Sequence, residues 1–217
     1  MDKGSVNVAQ ELVNCMQALT ELGLNTGRSG NVSMRMDNAR YAITPSGVHP
    51  RELVAAQIVE LALSDLELPP GKNPSSEWRM HRDIFAAFDH VHAIVHTHSN
   101  AATALACMRQ AIPPFHYMVA VAGGDTIECA PYATFGSPEL SAHAVVALQG
   151  RRACLLANHG LIATGRTLLE AQDLAQEVEQ LAFQYLMCLN AGKPAILSKD
   201  EMNEVLEKFK HYGKRTG

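Results

Sequence analysis

The chain has 217 residues, of which 47% are hydrophobic and 18% charged, with a formal net charge of −4 at pH 7. That length suits one globular domain, taken as 1–217, and the acidic balance argues against a general nucleic-acid binder; the basic stretch KFKHYGKR near the end reads as a solvated tail. The N-terminus lacks the uninterrupted apolar run of a secretory signal, and no stretch reaches the roughly 20 apolar residues of a membrane span.

In chain order, Leu12, Val13, Met16, Leu19 and Leu22 recur at helical spacing between Val8 and Leu22, and Gly23 ends that helix. LNTGRSGNVSMRM opens as a Gly-rich loop and continues as a strand with Val32, Met34 and Met36 alternating with polar residues. Asp37-Asn38 joins it to a second strand, ARYAITP, as a tight hairpin. PSGVHPREL leads into a short helix, and IVELALSD is the next strand. LELPPGKNP is loop, after which Ser75 or Ser76 is expected to cap the helix EWRMHRDIFAAF. HAIVHTH then reads as a strand, SNAATALACM as a helix, and Ser137-Pro138-Glu139 as a helix start. RACLLANHG reads as a buried strand stopping at Gly160, followed by helices over about Leu168–Leu189 and Lys199–Lys210. Interleaved helices and strands give an α/β class, and the hairpin adds antiparallel pairing to the sheet. The five cysteines (Cys15, Cys107, Cys129, Cys154, Cys188) form no CxxC pair and read as reduced and mostly buried, which fits the cytoplasm.

His96 and His98 flank one residue on a strand, so both imidazoles leave the same face and can converge on one ion. Imidazole suits zinc and other borderline divalent ions, and His159, before Gly160, completes a candidate three-histidine set with an open fourth position. The upstream pair His90 and His92 lies where a helix gives way to a strand beside Asp89, and reads as a solvated connection. Glu77, placed in the first helical turn, is the candidate acid/base; the competing reading is an acid placed for helix stability. Gly30 with Asn31, Ser46 with Gly47, and Ser75 with Ser76 offer small side chains, hydroxyls and backbone N–H groups of the kind that wrap a phosphate.

GNVS, ITPSG, SSEWRMH, VHTHS, FHYMVAVAGG, CAPYATFG, ANHGLIA and VLEKFKHYG occur in this order along nearly the whole chain. Together they resemble the class II aldolase/adducin family, and within it the bacterial fuculose-phosphate aldolase branch. The resemblance implies an α/β/α sandwich around a mainly antiparallel central sheet, and a homotetramer with Zn2+, or another divalent transition metal, at sites between subunits. It implies His96, His98 and His159 as ligands, with Glu77 as the catalytic carboxylate able to approach the metal. Gly30, Asn31, Ser46, Gly47, Ser75 and Ser76 match the phosphate-binding positions. Tyr117 matches a tyrosine that reaches the neighbouring subunit's site, and Tyr212 a mobile C-terminal tyrosine. Two departures stand out: Asn158 precedes His159 where some members carry another histidine, and Arg28 occupies the phosphate loop.

The implied reaction is cleavage of a (deoxy)ketose 1-phosphate to dihydroxyacetone phosphate and an aldehyde. Fuculose 1-phosphate and 5-deoxyribulose or 5-methylthioribulose 1-phosphate are equal candidates. Sibling activities use a similar zinc site: pentulose-phosphate 4-epimerase, methylthioribulose-1-phosphate dehydratase and sugar-acid phosphate decarboxylase. Adducin-like modules are non-catalytic, and retention of the histidines with Glu77 speaks against that reading.

Overall fold

The computed structural model describes residues 3–210. Its strands are β1 (Asn31–Arg35), β2 (Arg40–Ile43), β3 (Val59–Ala62), β4 (Ala93–Thr97), β5 (Cys129–Ala130), β6 (Ala153–Leu156) and β7 (Gly160–Gly165). Its α-helices are α1 (Lys3–Glu21), α2 (Trp78–Ala87), α3 (Asn100–Cys107), α4 (Pro138–Ala147), α5 (Leu168–Ala191) and α6 (Lys199–Phe209). The strands form one seven-stranded sheet in the order β3-β2-β1-β4-β7-β6-β5. Only the β5–β6 pair is parallel; the others are antiparallel, as expected for a mainly antiparallel sheet.

Side chains alternate between the two faces of each strand. Val32, Ala42, Val95, Leu161 and Ala163 join Leu12 and Leu19 of α1, Leu105 of α3 and Leu174 of α5 in one apolar cluster. Ile43, Ile94, Cys154 and Ile162 point the other way, into a second cluster with Ile84 and Phe85 of α2 and Leu140 of α4. The architecture is therefore an α/β/α sandwich. Each fully buried Leu or Ile contributes about 1.5–3 kcal/mol to holding the layers together. Helix starts follow local chemistry: Ser137 Oγ accepts from Leu140 N at 3.1 Å, and Thr167 Oγ1 accepts from Glu170 N at 3.1 Å.

Four sequence expectations change. The strand expected to end at Gly160 is two strands: β6 stops at Leu156 and β7 begins at Gly160, with a tight turn between them. Asn158 makes that turn with φ 56, a left-handed conformation that asparagine tolerates better than most residues. β5 and the 3₁₀ turn Tyr117–Ala122 were not anticipated, because both are too short to show a period. Neither Ser75 nor Ser76 caps α2; Glu77 occupies the N-cap position, one residue before the first helical turn, and makes no side-chain cap bond. The cysteines are all free thiols, but only Cys15 and Cys154 are buried and Cys107 is exposed.

Candidate metal centre

His96 stands on β4 facing α2, directly across from Asn31 of β1 on one side and Ile162 of β7 on the other. Its Nδ1 lies 2.9 Å from the Leu161 carbonyl oxygen. A carbonyl can only accept, so Nδ1 carries the proton and the bond aims Nε2 at the site. His98 sits one residue beyond the end of β4 but keeps the same alternation, and its backbone N–H donates to Asn25 Oδ1 at 3.4 Å. His159 comes from the β6–β7 turn, which is pinned by Asn158 N–H donating to Ala106 O at 2.9 Å.

These elements bring the three rings into a nearly equilateral triangle, with centroids 4.8, 4.8 and 4.9 Å apart. Gly160 permits the approach. A Cβ there would lie 2.3 Å from Thr97 O, 2.9 Å from His98 Cδ2 and 3.3 Å from His96 Cε1. The backbone at Gly160 thus passes close against β4 itself.

Glu77 closes the group. Its Oε2 is 3.0 Å from His96 Nε2 and accepts from Asn31 Nδ2 at 3.0 Å, while Oε1 is 3.2 Å from His159 Nε2. Placing Glu77 just outside the helix corrects the expected first-turn position. The carboxylate turns to the histidines instead of capping α2. Burial alone would raise the Glu77 pKa, but His96 and then His159 and Asn31 overcome it and hold the carboxyl well below the usual range. Burial likewise works against a charged His96, yet Glu77 leaves its pKa raised. Burial first, then repulsion from His96, lowers both His98 and His159 to about 4. Neutral His98 and His159 rings leave nitrogen lone pairs beside the Glu77 carboxylate, an arrangement that receives a cation.

This donor set fits a divalent metal. One ligand atom from each of Glu77, His96, His98 and His159 lies within 4.8 Å of all the others. His96 Nε2 and His98 Nε2 are 3.0 Å apart, whereas a tetrahedral set with bonds of ~2.0–2.1 Å separates neighbouring donors by about 3.3 Å. Glu77 Oε1 has no hydrogen-bond partner although it is buried, as expected of an atom whose partner is an ion. Three imidazoles and a carboxylate suit zinc and its borderline neighbours, without selecting one of them.

Glu77, His98 and His159 line a cleft of about 310 Å³, and His96 is buried beside them. Gly30, Asn31, Ser46, Gly47, Ser75 and Ser76 all line it as well. Ser75 shapes the turn as well: its backbone N–H donates to Thr44 O at 2.9 Å and its hydroxyl accepts from Glu77 N at 3.3 Å. Arg28 is exposed and lines the same cleft. Tyr117 is 50% exposed and does not line it, and Tyr212 lies outside the described residues. His90 and His92 are exposed, in keeping with a solvated connection. Sequence reasoning gave no role to Asn25, which holds His98, or to Ser33 and His81, which lie behind Asn31. The signal for His81 was available, since it stands four residues after Glu77 and therefore one helical turn along the same face.

The model of the class II aldolase and adducin N-terminal domain matches residues 10–186. A 5-methylthioribulose-1-phosphate/5-deoxyribulose-1-phosphate aldolase from Rhodospirillum rubrum is 52% identical over 202 residues, 93% of this chain and 90% of that one. An L-fuculose phosphate aldolase from Escherichia coli is 44% identical over 209 residues, 96% of each chain. A solved structure of L-fuculose 1-phosphate aldolase matches with a TM-score of 0.89 at 41% identity, covering 94% of this chain and 96% of that one. In sequence and in fold alike, the chain belongs to the class II aldolase and adducin family.

Proposed function

We propose that this chain is a zinc-dependent aldolase cleaving a (deoxy)ketose 1-phosphate to dihydroxyacetone phosphate and an aldehyde. The observation that carries the reading is the convergence of His96, His98, His159 and Glu77 at a cleft lined by small, hydroxyl-bearing and glycine residues. The relatives' names, aldolases of fuculose phosphate and of 5-methylthioribulose or 5-deoxyribulose 1-phosphate, support that substrate class.

His96, His98 and His159 would hold the metal, with Glu77 beside them as a further donor or as the catalytic carboxylate. When bound, the ion supplies Lewis-acid stabilisation for the charge left as the carbon–carbon bond parts. Gly30, Asn31, Ser46, Gly47, Ser75 and Ser76 grip the phosphate, and that remote binding fixes the reacting carbons beside the histidines. Arg28 adds positive charge at the same rim. As the C3–C4 bond breaks, Tyr117 relays the proton of the C4 hydroxyl to solvent. Glu77, having first taken up a proton from solvent, passes it to C3, so that one proton leaves the C4 oxygen and one arrives at C3. Glu77 suits that role because Asn31 holds one carboxylate oxygen and leaves the other for the substrate.

The exposed Tyr117 acts in a neighbouring subunit's cleft, which makes the working unit an oligomer, read here as a homotetramer. Tyr212 is the second catalytic tyrosine in this reading, by its match to the family's C-terminal tyrosine. Five free thiols support a reducing compartment, the cytoplasm. No helix among the described residues is long and apolar enough to cross a membrane.

The test is a panel of ketose 1-phosphates assayed for dihydroxyacetone phosphate, with and without chelator. Release that stops on chelation and returns with zinc supports the reading. A 4-epimer, loss of water or loss of carbon dioxide in place of cleavage replaces it with a sibling activity.

A further inference from the structure

Behind Asn31, a line of buried polar groups runs away from the cleft into the layer between the sheet and α2. Asn31 Oδ1 lies 2.5 Å from His81 Nε2, and His81 Nδ1 lies 2.6 Å from Ser33 Oγ. His81 and Ser33 are fully buried and Asn31 is 5% exposed. Ser33 and Asn31 stand on β1 two residues apart, so both face α2, where the neighbouring positions are filled by Ile43, Ile94 and Ile84. Packing alone would be served as well by an aliphatic side chain, which carries no desolvation cost.

The direction of every bond in this line follows from its end. An ionised carboxylate only accepts, so the Asn31 group facing Glu77 Oε2 is the amide Nδ2, as the 3.0 Å contact has it. The Asn31 carbonyl oxygen therefore faces His81, and because it too only accepts, His81 Nε2 carries the proton. Burial, then the charge on His96, lowers the His81 pKa to about 3, so the ring is neutral and Nδ1 is bare. The Ser33 hydroxyl then donates to Nδ1. A flipped Asn31 amide would set its oxygen against the Glu77 carboxylate and, with His81 in this tautomer, its NH2 against the His81 N–H, losing two hydrogen bonds at once.

We propose that His81 is a positioning residue: its Nε2–H, set against the Asn31 carbonyl oxygen while Ser33 donates to Nδ1, holds the Asn31 amide so that Nδ2 donates to Glu77 Oε2 and borders the phosphate cleft. The assignment rests on the aldolase reading, since it makes His81 act on turnover through Asn31 and Glu77. His81 touches neither metal nor substrate. The buried line sets which Glu77 oxygen is restrained and which is left for proton transfer.

The test compares metal-loaded wild type with His81→Leu, His81→Gln and Ser33→Ala. It measures metal content, kcat and KM on a ketose 1-phosphate that wild type cleaves, and the ring-nitrogen NMR shifts of His81. His81→Leu keeps its metal and loses about tenfold or more in kcat, the scale at which partners behind a metal site act. His81→Gln regains most of that loss, because its amide NH2 reproduces the donor at Nε2. Ser33→Ala shows a smaller loss in the same direction. NMR shows a protonated Nε2 and a bare Nδ1 in wild type. Wild-type kinetics in a metal-loaded His81→Leu overturn the proposal, as does a glutamine variant no better than the leucine one. If His81→Leu does not fold, a glutamine variant with unchanged kcat beside an impaired Ser33→Ala supports it, and a Nδ1–H tautomer sinks it. A wild type that cleaves no ketose phosphate removes the aldolase reading instead, and the NMR arm still decides the tautomer.

Discussion

On the sheet face under α1, α3 and α5, the strands present Val32, Ala42, Val95, Leu161 and Ala163 to a continuous apolar layer. On the face under α2 and α4, Asn31, Ser33 and His96 stand among Ile43, Ile94 and Ile162, equally shut off from water. Both faces are packed, but they answer to different demands. The first is satisfied by area removed from water, which any well-shaped set of aliphatic groups supplies. The second places groups that are costly to bury, each of which requires a partner at a set distance and direction. Such a face is the part of a core where function is to be looked for.

The comparison is broken most directly at His96. His96→Ala should lose bound metal and activity together, with elemental analysis and the cleavage assay read on the same sample; an active, metal-free variant refutes the ligand assignment. Glu77→Gln should retain metal and lose about 10²–10⁴-fold in kcat, the usual share of a general acid–base. Near-normal turnover removes Glu77 from the chemistry. On the opposite face, Leu19→Ala should cost about 2–5 kcal/mol of stability in a denaturant titration, while the folded protein keeps wild-type kcat. A kcat that fell in step with stability there would erase the distinction between the faces.

Much of the apolar face was legible in the sequence, and for a definite reason. The spacing of Leu12, Met16 and Leu19 reflects burial of one face of α1, and the alternation of Val32 and Met34 marks the side of β1 that packs against apolar groups, which periodicity reports. The polar face was half legible. His96 and His98 announced themselves by their spacing, and His159 by its glycine. Ser33, in contrast, looked like the outward half of an amphipathic strand, because alternation cannot tell a polar residue facing water from one facing a buried histidine. The β6–β7 turn was hidden by apolar residues on both sides of Asn158-His159-Gly160. The N-cap of α2 was misread because Glu77 serves the histidines and not its own helix.

Proton linkage sharpens the contrast further. Unfolded His81 titrates near its ordinary 6.5, whereas the buried ring holds out to about 3. Between those values the unfolded state carries the extra proton. His81 by itself should therefore make the stability of metal-free protein fall as pH drops, by about 1.4 kcal/mol per unit, in addition to what His98 and His159 contribute. Denaturant midpoints against pH should be flatter for His81→Gln than for wild type by that slope; equal slopes would contradict a neutral buried ring. The smallest effect is expected at the exposed pair, where His90→Ala and His92→Ala should each change stability by less than about 0.5 kcal/mol and leave metal content unaltered.

Gly160 has one more implication. Two strands meet there only because that residue has nothing beyond its α-carbon, and the next Cβ would run into Thr97 O. The close approach of the turn carrying His159 to the end of β4 is thus laid down by main chain. Redesign that moves His159 away from His98 therefore has to alter the hairpin itself, because the backbone at Gly160 leaves no room for a side chain.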